Sequence, residues 1–187
     1  VIIERVRRRA SWISRQLEDF ARYHPRTPQR QYMTGESHRY LGRQHRLKVV
    51  SSGDAGVRLS RGEILVSMSG TATPERTRVQ LDRWYLGRAR ELFGEVMEAS
   101  LVRFRRIQRP RLIIRTMQSR WGSLSRAGSM TLNVRLVQAP RACIEYVIAH
   151  ELCHAVYRDH DTRFFGLLER VMPDWKRRKE RLESALL

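Results

Sequence analysis

Residues 150–160 read HELCHAVYRDH and hold three of the chain's six histidines. On a helix, His150 and His154, four residues apart, project from one face and can meet a single ion. Zinc accepts neutral imidazole nitrogens and prefers four ligands, and other divalent transition metals take the same donors. Glu151 stands beside the first histidine, within reach of a metal-bound water without itself being a ligand. A metal lowers the pKa of such a water toward about 7, and a carboxylate can then take its proton. A third ligand leaves one position open for water or substrate. His160, six residues past His154, is the first candidate. Asp159 and Asp161 flank it and could substitute, and Glu169 is a weaker rival. Cys153 points away from His154 by about 100° on a helix and reads as a buried structural thiol.

The elements that must hold these groups are read from periodicity. Pro140 begins the helix of the motif, and Ile144, Val147, Ile148, Leu152, Ala155 and Val156 give it a broad apolar face with the histidines at its edge. Thr73-Pro74-Glu75 opens a second, long helix, with Thr73 as N-cap and Pro74 at its first position. Its core stripe is Val79, Leu81, Trp84, Tyr85, Leu86, Leu92, Phe93, Val96 and Met97. Between the two helices, RLIIRTM and SMTLNVRLV read as strands around the turn RWGSLSRAG, the second offering an edge on which an extended peptide could pair. Upstream, GESHRYLGRQHRLKVV and GVRLSRGEILVSM read as hairpins turning near Gly42 and at Arg61-Gly62, a small antiparallel β region. Ile2, Val6, Ile13, Leu17 and Phe20 predict a helix over residues 1–23, and Pro25 and Pro28 mark a connector after it. Met172 reads as a plain core methionine, and His24, His38 and His45 as surface or turn residues.

At 187 residues the expectation is one domain over 1–187, in which 1–72 is a helix and β region and 73–187 a core carrying the HExxH helix. No apolar run approaches the roughly 20 residues that cross a bilayer, and the opening VIIERVRRRASWI lacks the order of a signal peptide. Cys143 and Cys153 would lie about 15 Å apart along one helix, too far to bridge. Reduced thiols, a cytoplasmic location and no membrane partner are therefore expected. The net charge of +18 favours polyanions, nucleic acid among them. It comes from 34 arginines and three lysines, clustered at Arg7 to Arg9, Arg103 to Arg111 and Lys176 to Arg181. Codon bias could produce the same skew with no binding role.

Five segments carry a resemblance to a known family: GESHRYLGRQHRLKV at 35–49, RWGSLS at 120–125, MTLNVRLVQAP at 130–140, YVIAHELCHAVYRDHDTRFFGLL at 146–168 and MPDWKRRKERL at 172–182. In this order they resemble the YgjP-like metal-dependent hydrolases, zincin-type proteins related to the SprT-like metalloproteases. The resemblance implies an α+β, zincin-like fold, its active-site helix packed on a small mixed or antiparallel sheet, with a further β-hairpin region near the N-terminus. It implies that His150, His154 and His160 bind the metal and that Glu151 is the catalytic base. Two departures stand out. Leu124 occupies the place where the family usually has a cysteine, and Tyr157 replaces the turn glycine that the metzincins need, which excludes that branch.

Arg120, Trp121 and Asn133 are the next candidates, for substrate binding, since a guanidinium near a metal can grip a carboxylate or phosphate with two hydrogen bonds. The plainer reading has Trp121 packing, Arg120 bonding turn carbonyls and Asn133 fixing the strand. The leading function is a zinc-dependent hydrolase, a metallopeptidase acting on peptide or protein through a water on the three-histidine ion and a glutamate base. Two alternatives remain. Some members of the family are nucleotide pyrophosphatases acting on triphosphates such as UTP, although neither a P-loop nor an acidic magnesium cluster is present. Kinship with SprT-like proteins and the charge of +18 would fit a protease associated with DNA.

Overall fold

The computed structural model describes residues 30–104 and 107–185, together with Glu4 and Ala10. Two compact units emerge, Val1–Arg30 with Leu187, and Gln31–Leu186. The helix expected over 1–23, the connector after it and His24 lie outside the described residues, those two positions apart. The larger unit is an α+β fold.

Its first sheet is built from two hairpins. β1 (Ser37–Tyr40) pairs antiparallel with β2 (Arg43–Ser51), and β3 (Gly56–Ser60) with β4 (Glu63–Met68). The two-residue turns are Leu41-Gly42 and Arg61-Gly62, all four residues with positive φ, as a type I′ hairpin requires. The expected purely antiparallel region is in fact mixed. The strand order is β1-β2-β4-β3, and β2 runs parallel to β4. That register sets Leu47 beside Ile64 and Val49 beside Val66, so one apolar row faces the core. His38 and His45 are cross-strand partners and both are buried, against the surface placement expected of them. His38 Nε2 lies 3.3 Å from Glu36 Oε2, and His45 packs near the Tyr40 ring.

Helix α1 (Pro74–Leu101) starts where expected, with the Thr73 hydroxyl accepting from the Arg76 N–H at 3.3 Å. Leu81, Tyr85, Ala89, Leu92, Phe93, Val96 and Met97 form one buried stripe. Val79 falls two residues out of that phase and is exposed, while Trp84 and Leu86 lie half-buried at the margin.

The second sheet differs more from expectation. β5 (Arg111–Arg115) and β7 (Ser129–Asn133) are parallel, and the intervening segment contributes a third strand, β6 (Gly122–Leu124), antiparallel to β7. The order β5-β7-β6 makes β7 the central strand, so the edges belong to β5 and β6 and not to β7. β7 stops at Asn133, whose side chain accepts from the Arg135 N–H and caps a 3-10 turn over Val134–Gln138.

Helix α2 (Arg141–Cys153) runs through the core, followed by α3 (Thr162–Val171) and α4 (Trp175–Ala185). Cys143, Ile144, Tyr146, Val147, Ile148, Ala149, Leu152 and Cys153 are all buried, so α2 is covered nearly all round. It ends at Cys153, which leaves Ala155 and Val156 exposed, outside the apolar face predicted for them. Both cysteines are free and buried. Among the described residues, no helix is long and apolar enough to cross a membrane.

The first hairpin clamps the start of α2. Leu41 and Gly42 donate backbone N–H groups to Val137 and Gln138 at 3.0 and 2.9 Å. A Cβ on Gly42 would sit 2.7 Å from Pro140 Cγ, whereas one on Gly62 would meet nothing within 4 Å. Alanine would meet the same left-handed strain at either position, so replacing each glycine by alanine separates strain from packing. Gly62→Ala should cost about 1–2 kcal/mol. Gly42→Ala should cost about 1–3 kcal/mol more, from overpacking against Pro140, in denaturant unfolding.

Candidate metal centre

The last turn of α2 sets the geometry. His150 and His154 stand one turn apart, their ring centroids 5.0 Å from each other. His154 is the C-terminal cap, still in right-handed helical conformation, and Tyr157 turns back to donate its N–H to the Cys153 carbonyl at 2.9 Å. The Tyr157 carbonyl lies 3.1 Å from His154 Nδ1. A carbonyl can only accept, so Nδ1 carries the proton and Nε2 is left with a free lone pair.

The chain then returns over the helix. Asp161 caps α3 by accepting from the Arg163 and Phe164 N–H groups, both at 3.0 Å. This fixes the approach of His160, whose Nε2 lies 3.0 Å from His150 Nε2. Ligand nitrogens of His150, His154 and His160 all fall within 4.8 Å of one another. A tetrahedral zinc with nitrogen bonds of 2.0–2.1 Å separates its ligand atoms by about 3.3 Å, so the three imidazoles fit such an ion by spacing and by chemistry. Asp159, Asp161 and Glu169 do not converge there: Asp161 serves the cap and an Arg163 ion pair, and Glu169 accepts from the Trp175 indole. Met172 is a buried core residue at the end of α3.

Packing orients what hydrogen bonds do not. The ring of Phe164, fully buried, lies 5.0, 4.7 and 4.6 Å from those of His150, His154 and His160. His150 Nδ1 is buried with no hydrogen-bond partner, so Phe164 and Tyr146 hold that ring by contact. Burial pulls the His150 pKa down to about 3, helped by the charges of His154, His160 and Lys179. His160 is lowered in the same sense, by burial and by His154, against Asp159. Both rings are therefore neutral near pH 7, the form that ligates.

Glu151 is buried and faces β6. A Cβ on Gly122 would lie 2.8 Å from both its Cγ and its Oε1, and 3.0 Å from Val147 Cγ1, so only glycine lets the strand close on this carboxylate. Burial pushes the Glu151 pKa up to about 7, while the Leu124 backbone N–H and the Arg120 charge draw it back. A cleft of about 340 Å³ opens over these groups, lined by Arg120, β6, Arg158, Glu151 and the three histidines. Leu124 is thus part of the wall.

Of the other residues singled out from the sequence, Arg120 lines the cleft and Trp121 and Asn133 do not. Trp121 is half-buried against the core. Asn133 is buried, and its Nδ2 donates to the carbonyls of Met117 at 2.8 Å and Arg120 at 3.1 Å, tying down the loop that presents Arg120. Sequence reasoning missed Gly122 and Arg158. The first sat in the RWGSLS segment with no sign of what it would touch; the second lies inside HELCHAVYRDH but has no helical phase to announce it.

Alanine at His150, His154 or His160 should drop bound zinc from about one equivalent to about a tenth or less, read by elemental analysis after dialysis. Asp161→Ala, which removes a cap worth about 1 kcal/mol and loosens the approach of His160, should unfold more easily and hold its metal more weakly than the parent protein.

The model of the YgjP-like family, a metallopeptidase domain, matches residues 1–185. No curated protein matches the chain. Among solved structures it is similar to the metallopeptidase zymogen of Pyrococcus abyssi abylysin, with 20% identity over 50% of this chain and 94% of that one and a TM-score of 0.47. It is also similar to the metallopeptidase zymogen of Methanocaldococcus jannaschii jannalysin, with 18% identity over 51% and 90% and a TM-score of 0.46.

Proposed function

Because the chain belongs to the YgjP-like metallopeptidase family, we propose that it is a zinc peptidase in which His150, His154 and His160 hold the ion and Glu151 is the general base. Membership of the family carries with it metal-dependent hydrolysis of peptides or proteins. The convergence of three imidazoles on a cleft that also contains a buried carboxylate supports these residue roles.

A zinc ion held there supplies Lewis acidity toward a carbonyl oxygen and lowers the pKa of water toward about 7. The chain supplies the rest. Glu151, with its pKa raised to about 7, takes a proton from the attacking water and gives it to the amine nitrogen as the C–N bond breaks. The approach of Gly122 limits where that carboxylate can swing. β6 has β7 on one side only, and its free side borders the cleft. An extended substrate can pair with that edge through main-chain hydrogen bonds, which position the scissile carbonyl without regard to side chains.

Glu151→Gln keeps the shape and removes the base. It should lower kcat on an unfolded protein such as casein by about 10²–10⁴-fold while the zinc content stays that of the parent protein. Undiminished hydrolysis by this variant would remove Glu151 from the mechanism. Hydrolysis that survives complete chelation would remove the metal.

A further inference from the structure

The cleft wall carries two guanidinium groups, Arg120 and Arg158, and its only carboxylate is Glu151. Both arginines are exposed, and neither has a carboxylate within 4.0 Å among the described residues. Elsewhere on the same surface Arg88, Arg141, Arg163 and Arg178 all sit on acidic side chains. In so basic a chain a solvated arginine is ordinary, but these two are held at the cleft by backbones tied to the reaction centre. The buried Asn133 amide bonds the Arg120 carbonyl at 3.1 Å. The residue preceding Arg158 is Tyr157, whose carbonyl accepts a hydrogen bond from His154 Nδ1 at 3.1 Å. Arg120 is also close enough to Glu151 for its charge to act on that carboxyl. A guanidinium fork accepts a carboxylate or a phosphate through two hydrogen bonds, and on a peptide substrate the group of that kind is a carboxylate.

Building on the peptidase reading, we infer that Arg120 and Arg158 form a carboxylate-accepting subsite, so that preferred substrates carry an acidic group beside the bond to be cut. The group is either an Asp or Glu side chain or a free C-terminus; the chemistry is the same, and the test separates them. Arg120 and Arg158 are specificity residues in this account. They choose the substrate and leave the proton transfers to Glu151.

Three short peptides carrying one uncharged dye decide the matter. One contains an internal Glu, the second has Gln in its place with blocked ends, and the third is the Gln peptide with a free C-terminal carboxylate. Their binding to the zinc-loaded Glu151→Gln protein is read by fluorescence anisotropy. At least one acidic peptide should bind about tenfold more tightly than the blocked Gln peptide, as two charge-assisted contacts would produce. Whichever acidic peptide gains identifies the source. Arg120→Gln and Arg158→Gln should each cut the preference to about threefold or less and leave the blocked peptide's affinity unchanged. A general attraction to a chain of net charge +18 would survive the loss of one charge, so a preference that persists in both variants overturns the subsite. Equal binding of all three peptides overturns it too. Cleavage of the same peptides by the unsubstituted protein is followed separately by mass spectrometry. Peptides bound with this preference but never cut would sink the peptidase reading and leave the subsite standing; cleavage with no acidic preference would do the reverse.

Discussion

The contact between His154 Nδ1 and the Tyr157 carbonyl joins the two halves of the metal centre. It fixes a tautomer, leaving Nε2 with a free lone pair, and it pins the chain at the point where α2 ends. Without that turn, the residues after Cys153 could continue as helix, and His160 would lie about one and a half turns further along the axis. With it, the segment doubles back and the Asp161 cap brings His160 within 3.0 Å of His150. The cluster is thus a helix terminus folded over on itself, with three imidazoles converging at its end.

Helix α2 is held at both ends and along its length. The turn of the first hairpin grips its start through two backbone hydrogen bonds and the close seat of Gly42 on Pro140. Phe164 supports its end from beneath, in contact distance of all three rings. Between these, eight buried apolar or thiol side chains lock its rotation. A ligand set held by rigid elements loses little entropy when an ion arrives, which is where metal affinity is usually lost.

Electrostatics divides the cleft into two environments. On the buried side, desolvation keeps His150 neutral and raises the Glu151 pKa to about 7, so the imidazole is free to donate its lone pair and the carboxyl is poised to exchange a proton near pH 7. On the exposed side, two unpaired guanidinium groups face solvent. Gly122 marks the boundary, since its missing side chain lets β6 shield the carboxylate while the strand's free edge stays open.

Much of this was legible from local pattern. HELCHAVYRDH named the three imidazoles that converge, Thr73-Pro74 announced α1, and Leu41-Gly42 and Arg61-Gly62 marked both hairpin turns, because caps, i,i+4 spacing and turn residues act over a few positions. What the chain does at long range was not legible. β6 emerged inside a presumed turn, β2 and β4 paired parallel, β7 became a central strand, and His38 and His45 went inside. Strand pairing and burial depend on which surfaces meet across the whole fold, and no short window records that. The same holds for the site: its ligand types and spacing are written in one segment of the sequence. Arg120 could be singled out from its segment, but its place on the cleft wall and the glycine that admits Glu151 were decided by tertiary packing, because β6 and α2 are distant in the chain.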